Sequence, residues 1–185
     1  LAGVLELPHW LIHMAGQGLN MVDGMGAARV ANYLLAGLVE LRRAVPGDSA
    51  MLHAWRNHPD TRRYALNSAE IVLEKHERWL TKVLSKPDCE LLIAESSGSK
   101  IGVLRFDIEA DHALISIYLV PGLAGQGWGV RLLLAGERWL RRQRAGVHLL
   151  EAEVCTDNVA SARAFQAVGF SVSQFRYRKE LYGSH

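Results

Sequence analysis

Cysteine, net charge and long apolar runs are all scarce in this sequence. The two cysteines, Cys89 and Cys155, occur without a CxxC pair or a Cys/His ligand spacing, so we expect no metal site. Two free thiols are typical of a reducing compartment, which predicts a cytoplasmic location. The formal net charge of +2 gives no electrostatic reason to expect binding to nucleic acid or to an anionic membrane.

The apolar pattern excludes further classes of protein. No apolar run reaches ~18 residues without a charge or a turn residue, so we expect no transmembrane helix. The first residues include neither Met nor a basic segment, which argues against a signal peptide and predicts that the chain was cut from a longer one. A composition that is 49% hydrophobic and 22% charged predicts a globular protein.

The chain divides into a short N-terminal segment and one domain. Residues 1–36 are rich in Gly and Met and too few to bury a core, so we expect the tail of a preceding domain or a linker. Residues 37–185 are expected to form one α/β domain, a mixed central sheet flanked by helices. The predicted strands lie at 38–44, 89–96, 101–110, 113–121, 148–155 and 170–181. Three helices are predicted at 46–58, 130–142 and 159–168, and a fourth begins after a cap at Asn67 or Ser68.

A glycine-rich loop, GLAGQGWG at 122–129, separates a predicted strand from a strongly apolar helix. It matches neither GxxxxGK[ST] nor GxGxxG. Glycines allow backbone N–H groups to converge on an anion without interference from Cβ atoms, and the helix dipole adds to the attraction. A pyrophosphate is the ligand that suits such a loop, although an ordinary tight turn has the same composition.

A second motif, EVCTDNVASARAFQAVGF at 153–170, puts Asn158 after a strand and Gly169 after the next helix. Together the two motifs resemble the GCN5-related N-acetyltransferase (GNAT) superfamily. The loop resembles that family's pyrophosphate loop, [RQ]xxGx[GA], and the second motif resembles its N…A…Y…GF segment. The resemblance covers about 38–181. It implies an acetyl-CoA-dependent N-acetyltransferase whose donor lies in a V-shaped gap between the strands at 113–120 and 148–155.

The resemblance also implies which residues meet acetyl-CoA. Main-chain groups at the end of the first strand would bond the pantetheine amides, loop N–H groups would hold the pyrophosphate, and the start of the last helix would lie along the cofactor. The expected cofactor-binding residues are Leu119, Val120, Ala124, Gly125, Gln126, Gly127, Trp128, Gly129, Val130, Asn158, Ser161 and Phe165. Two of them depart from the family. Ala124 replaces its Arg or Gln, and Phe165 replaces the Tyr that often protonates the departing CoA thiolate.

Acetyl transfer to an amine needs a base for the ammonium proton. Glu153 is the first candidate, because it matches a position that is Glu in some GNAT enzymes. Strand alternation puts Glu151 on the same face. Neighbouring carboxylates favour each other's protonated form, as suits a base, although two solvated charges on a strand face have the same pattern. His112 and Ser116 are weaker candidates.

The departing thiolate and the carbonyl oxygen also need partners. With Phe165 in place of the family's Tyr, the expected acid is Tyr118, with Tyr177 or water as alternatives. A main-chain N–H of the splayed strand, that of Leu119, would polarise the thioester carbonyl.

The segment WRNHPDTRRYALNSAEIVLEKHERWL (55–80) is similar to two GNAT branches. One acetylates ribosomal proteins and peptide N-termini. The other acetylates the 4-amino group of a UDP-4-amino-4,6-dideoxy sugar in pseudaminic acid biosynthesis. Loop positions favour polar contacts with a ligand, and Arg62 or Arg63 would suit a diphosphate. The expected acceptor-binding residues are Arg56, Asn57, Tyr64 and Glu151.

The N-terminal segment favours the sugar branch. MVDGMGAARVANYLL (21–35) resembles the closing segment of the UDP-sugar hydrolase of the same pathway, which predicts a hydrolase fused to the acetyltransferase. The remnant is too short to hold the hydrolase active site. The expected partner is therefore a small-molecule amine, a UDP-amino sugar, and a homodimer is left open. The alternatives are peptide or ribosomal-protein acetylation, acetylation of a polyamine, aminoglycoside or amino acid, and a non-catalytic acyl-CoA-binding module.

Overall fold

A computed structural model describes residues 39–65 and 67–173. The predicted segment at 1–36, and the predicted last strand from residue 174 onwards, lie outside the described residues. None of the described helices is long and apolar enough to cross a membrane. The elements are β1 Glu40–Arg43, α1 Ser49–Asn57, α2 Pro59–Arg62, α3 Leu73–Leu84, β2 Cys89–Ser96, β3 Ser99–Glu109, β4 His112–Leu119, α4 Trp128–Gln143, β5 Leu149–Glu151 and α5 Val159–Ala167.

The five strands form one mixed sheet in the order β1-β2-β3-β4-β5. The first three pairings are antiparallel, and β4 pairs with β5 in parallel. The first six residues of β2 are all buried, as expected of a strand covered by helices on both faces. The mixed α/β sheet flanked by helices that the sequence predicted is confirmed.

Alternation along the strands divides the apolar side chains between two cores. On one face of the sheet, Leu92 of β2 shares a core with Leu132 of α4. On the other face, Ile93 shares a core with Leu52 of α1 and Leu80 of α3. The helices therefore cover opposite faces, with α1 and α3 on one and α4 and α5 on the other.

Helix α4 lies close to the sheet at Gly136. A Cβ there would overlap the side chain of Leu104 and lie 3.3 Å from Phe106 Cζ. Val130 and Leu134 of the same helix are only partly buried, because this contact determines which face meets the sheet. The buried residues of α4 are Leu132, Leu133, Ala135, Gly136 and Leu140.

Two buried carboxylates attach the edge strand β1 to the domain. Asp48 accepts two hydrogen bonds of 2.8 Å from Arg42, and these lower the pKa of the Asp48 carboxyl. Glu90 accepts hydrogen bonds from Arg43 at 2.9 Å and from Arg144 at 2.7 Å. Burial alone would raise the pKa of Glu90, but the two guanidinium groups outweigh it and lower that pKa. Both carboxylates are therefore ionised at neutral pH.

Several predicted boundaries differ from the structure, and two of the differences have a local explanation. Helix α3 begins at Leu73 rather than after Asn67 or Ser68, because Asn67 Oδ1 accepts the Ala69 N–H at 3.0 Å and closes a turn instead. Strand β5 ends at Glu151 rather than at 155, because its pairing with β4 stops there.

Candidate functional site

Strands β4 and β5 run side by side only at their amino ends. The register pairs Ala113 with Leu150 and Leu114 with Glu151, where β5 ends, whereas β4 continues to Leu119 beside β3. Residues 115–119 therefore have no strand partner on their outer side within the described part of the chain. We call the space between them and residues 152–155 the splayed gap. Its wall of unpaired strand backbone offers hydrogen bonds to a ligand.

The main-chain N–H and C=O groups of Leu119 and Val120, at the end of β4, point in opposite directions. The Val120 N–H donates to the Ile101 carbonyl at 2.8 Å, and the Val120 carbonyl accepts from the Leu123 N–H at 3.1 Å. Because bonding direction alternates along an antiparallel strand, the N–H and C=O of Leu119 and Ile117 point away from β3. Leu119 thus directs its main chain into the splayed gap, and Val120 is bonded within the protein.

Left-handed backbone at three glycines shapes the loop between β4 and α4. The φ angle is 87° at Gly122, 78° at Gly125 and 77° at Gly127, a region that strains residues with a Cβ. Gly127 is the N-cap of α4, so the unbonded N–H groups of the first helical turn lie at this loop. The Gln126 side chain donates to the Gly122 carbonyl at 3.1 Å and braces the turn. The loop and the helix dipole together attract an anion.

Asn158 caps α5, the helix that the sequence predicted at 159–168. Its Oδ1 accepts the Ser161 N–H at 3.0 Å. At the other end, Gly169 adopts a φ of 96° and the Phe170 N–H bonds back to the Phe165 carbonyl at 3.1 Å, which also agrees with the prediction. The Phe165 ring packs edge-on against Phe170, with centroids 5.0 Å apart, and is 6% exposed. Asn158 and Ser161 therefore lie at the start of α5, and Phe165 lies in the core.

The segment after β5 keeps the alternation of a strand although its pairing has ended. Leu150, Ala152 and Val154 are partly buried and pack on the core, whereas Glu151 and Glu153 are exposed. The two carboxylates thus share one side of this segment. Glu153 belongs to the part that borders the splayed gap.

Tyr118 lies on the opposite face of β4 from Leu119. It packs with Trp55 against the core beneath α1 and α3. Burial raises the pKa of the Tyr118 phenol far above its usual range, and the positive charge of Arg56 only partly opposes this rise. The phenol therefore stays protonated at neutral pH and can donate a hydrogen bond, while the raised pKa makes it a weaker acid than an exposed tyrosine.

Side chains of α1 and α2 fasten the loop that joins α2 to α3, which we call the α2–α3 loop. Asn57 donates to the Ile71 carbonyl at 2.7 Å and accepts the Ile71 N–H at 2.9 Å. His53 Nε2 lies 2.7 Å from the same carbonyl, and Arg62 Nε donates to the Ser68 carbonyl at 2.8 Å. The predicted acceptor-binding residue Asn57 thus has its amide engaged with the main chain of Ile71.

Arg56 has one bonded and one unbonded terminal nitrogen. Nη2 donates to the Asn67 carbonyl at 2.8 Å, and Nη1 is buried without a hydrogen-bond partner among the described residues. The Tyr64 carbonyl accepts from Cys155 Sγ at 3.4 Å, which brings the α2–α3 loop to the splayed gap. The Arg63 guanidinium lies over the Tyr64 ring, 5.3 Å from its centre. Tyr64 therefore lies beside the splayed gap, and the charge of Arg56 acts on the Tyr118 phenol.

Two residues of this region are missing from the sequence-based candidates. Arg131 lies at the glycine loop, with its guanidinium carbon 4.8 Å from the centre of the Trp128 ring. One feature of the sequence could have indicated Arg131: residues 113–136 contain no other charged side chain. His53 helps to fasten the α2–α3 loop, and nothing in the sequence pattern indicates that role.

A strand pair that splays beside a glycine loop, with a capped helix following the second strand, is the arrangement that the resemblance to coenzyme A-dependent acetyltransferases implied. Residues 49–170 match the family model described as the acetyltransferase (GNAT) family. The chain belongs to the acetyltransferase (GNAT) family and is an acetyl-CoA-dependent N-acetyltransferase. The predicted GNAT membership is thereby confirmed, whereas the resemblance to the sugar branch and to a hydrolase tail stays a prediction. No curated protein matches the chain.

Solved structures with the same fold act on different amines. The aminoglycoside acetyltransferase AAC(6')-Ib in complex with coenzyme A is 23% identical, with a TM-score of 0.65 over 72% of this chain and 84% of that chain. The spermidine N-acetyltransferase from Vibrio cholerae with CoA and spermine is 18% identical, with a TM-score of 0.67 over 75% and 83%. An acetyltransferase from Salmonella typhimurium that modifies the N-terminal serine of a 50S ribosomal subunit protein is 20% identical, with a TM-score of 0.63 over 72% and 81%. At these identities the similarity shows the fold.

Proposed function

We propose that this N-acetyltransferase moves the acetyl group of acetyl-CoA to the 4-amino group of a UDP-4-amino-4,6-dideoxy sugar. The observation that carries the proposal is the positive charge around α1 and α2. Residues 55–65 hold three arginines and one aspartate. Among the described residues, one buried nitrogen of Arg56 has no hydrogen-bond partner, and the charge of Arg56 acts on the Tyr118 phenol. A diphosphate would bind these guanidinium groups while the amine of the sugar reaches the splayed gap. The hydrolase-like resemblance of residues 21–35 supports the same acceptor.

The same arginines disfavour acceptors that carry several positive charges. Two like unit charges 4 Å apart repel by ~1 kcal/mol in bulk water and by ~4 kcal/mol at an effective dielectric constant of 20. Aminoglycosides and polyamines would meet Arg56 and Arg63 in this way. The carboxylates of the region do not compensate, because Asp60 and Glu70 are exposed and Glu70 already lies 3.7 Å from Arg62. A diphosphate is negatively charged, so the same arginines would attract it.

Acetyl-CoA is the donor substrate in this proposal, with its pantetheine arm in the splayed gap. The Leu119 carbonyl would accept a hydrogen bond from a pantetheine amide, and Val120 would hold that strand end in place. The pyrophosphate would lie at the loop and the helix N-terminus. Asn158 and Ser161 would line the donor at the start of α5, which Phe165 secures from the core. The loop residues assigned to the pyrophosphate are Ala124, Gly125, Gln126, Gly127, Trp128, Gly129 and Val130.

The reaction forms a bond from the amine nitrogen to the acetyl carbon and breaks the carbon–sulfur bond. Glu153 at the edge of the splayed gap would take the ammonium proton, directly or through water. The Leu119 N–H would polarise the thioester carbonyl. The protonated phenol of Tyr118 would give its proton to the departing thiolate and regain one from solvent. The products are the N-acetyl sugar, CoA and one proton.

The proposal is tested by measuring CoA thiol release from acetyl-CoA with the UDP-4-amino-4,6-dideoxy sugar, followed by mass spectrometry of the sugar. We expect one added acetyl group, and none with a UDP-sugar that lacks the amine. Parallel reactions contain kanamycin, spermidine or a peptide with an N-terminal serine. Acetylation of one of these three without acetylation of the nucleotide sugar would overturn the proposed acceptor.

A matched pair of variants tests the role of the arginines. Arg56→Gln should raise the KM for the nucleotide sugar roughly 10- to 100-fold, the size of a lost charge-assisted hydrogen bond, with little change in the KM for acetyl-CoA. Arg78→Gln removes the same charge from an exposed position of α3 and should leave both KM values unchanged. An equal rise in KM for an amino sugar without a diphosphate would contradict phosphate recognition by Arg56.

A further inference from the structure

Arg131 is an isolated cation beside the glycine loop. Side chains in the first turns of a helix lean towards its N-terminus, so Arg131 reaches back over the start of α4. Its guanidinium carbon lies 4.8 Å from the centre of the Trp128 ring. Its Nη2 lies 4.0 Å from the place that a Cβ on Gly127 would occupy. The guanidinium group therefore lies directly at the N-cap of α4.

Within the described part of the chain, not all the hydrogen bonds that this guanidinium can donate are used. Arg131 Nε is buried and has no hydrogen-bond partner among the described residues. A buried N–H without a partner is unfavourable, and an anion at the loop would remove that cost. The Trp128 indole covers one face of the guanidinium and orients it, while the N–H groups in its plane stay directed at a ligand.

We infer that Arg131, oriented by Trp128, binds the pyrophosphate of CoA. The inference rests on the proposed use of acetyl-CoA as donor. Residues 121–129 contain no charged side chain, and Arg131 is the only charged residue within 113–136. The backbone N–H groups of the loop supply partial charges, and Arg131 supplies a full positive charge beside them for the two negatively charged phosphates. Its planar fork matches two phosphate oxygens at once.

Calorimetric titration with CoA compares the wild-type chain with Arg131→Met and Arg142→Met. Arg142 is exposed on the same helix, about 16 Å further along its axis, so its variant removes an equal charge far from the loop. We expect Arg131→Met to bind CoA roughly 10- to 100-fold more weakly and Arg142→Met to bind it as the wild type does. Arg131→Lys should recover only part of the loss, because an ammonium group lacks the planar fork. Trp128→Leu should lose less affinity for CoA than Arg131→Met.

Two donor analogues identify the group that Arg131 contacts. Dephospho-CoA keeps the pyrophosphate without the 3′-phosphate, and acetylpantetheine lacks both. Arg131→Met should lose as much affinity for dephospho-CoA as it loses for CoA. Its KM for acetylpantetheine should equal that of the wild type. A loss that disappears with dephospho-CoA would assign Arg131 to the 3′-phosphate and overturn the inference. An equal loss with acetylpantetheine would show a structural role and overturn it as well.

The wild-type titration separates this inference from the proposed function. A wild-type chain that does not bind CoA would contradict the use of acetyl-CoA itself. A wild-type chain that binds CoA, with unchanged affinity in Arg131→Met, would refute the role of Arg131 and leave the proposed function standing.

Discussion

Replacing Gly102 with alanine tests whether direct backbone contact sets the position of β4 at the splayed gap. Gly102 of β3 pairs with Leu119 of β4. An added Cβ would lie 2.5 Å from the Tyr118 carbonyl oxygen, 3.1 Å from Leu119 Cα and 3.2 Å from Leu132 Cδ2. The first distance is about 0.8 Å below the usual lower limit of carbon–oxygen contacts between strands, about 3.3 Å. Two of the three atoms are backbone, so β4 itself must move.

Both stability and activity should fall in Gly102→Ala. Overpacking of this kind costs about 1–3 kcal/mol, and the reduced freedom of the unfolded chain offsets about 0.5–1 kcal/mol. We therefore expect the free energy of unfolding to fall by about 1–2 kcal/mol. The shift also displaces the main chain of Leu119. Because misplacement by about 1 Å can slow an enzyme roughly 100-fold, we expect kcat/KM to fall at least roughly 10-fold.

Urea unfolding followed by circular dichroism measures the stability, and titration with acetyl-CoA measures donor binding. Gly47→Ala is the control, because a Cβ at that position meets no atom within 4 Å. The reasoning would be refuted by a Gly102→Ala protein that unfolds at the same urea concentration as the control and binds acetyl-CoA with the wild-type Kd.

Three further substitutions test the site and its support. Glu153→Gln should lower kcat at neutral pH without changing the Kd for acetyl-CoA, and a full-rate variant would remove the base role from Glu153. Asn158→Ala loses the cap of α5, so it should be about 1 kcal/mol less stable and bind acetyl-CoA more weakly; an unchanged Tm would contradict this. Glu90→Gln should lose about 1–3 kcal/mol of stability at pH 7. Because the fold lowers the pKa of Glu90, its stabilisation exists above the ordinary carboxyl pKa and disappears as pH falls through the folded-state value. The difference in urea midpoint between Glu90→Gln and the wild type should therefore shrink below about pH 4, and a constant difference would contradict the ion-pair explanation.

Local patterns in the sequence were sufficient for the class of fold and for several elements. Strand β2 and the helix that Asn158 caps and Gly169 ends were predictable, because an apolar run bounded by turn residues and cap chemistry are both features of residues close in the chain. The glycine loop was predictable for the same reason, since a positive φ is a property of single residues. These local features were enough to indicate the GNAT family.

Contacts between distant segments were decided only by the tertiary structure. The end of β5 at Glu151 depends on where its pairing with β4 stops, and no local pattern in either strand records that point. The same holds for Asn57, whose amide bonds Ile71, and for Glu90, which accepts a hydrogen bond from Arg144. A sequence specifies which groups can donate, accept or carry charge. Which partners they meet depends on the packing of the helices on the sheet, because that packing brings together residues far apart in the chain.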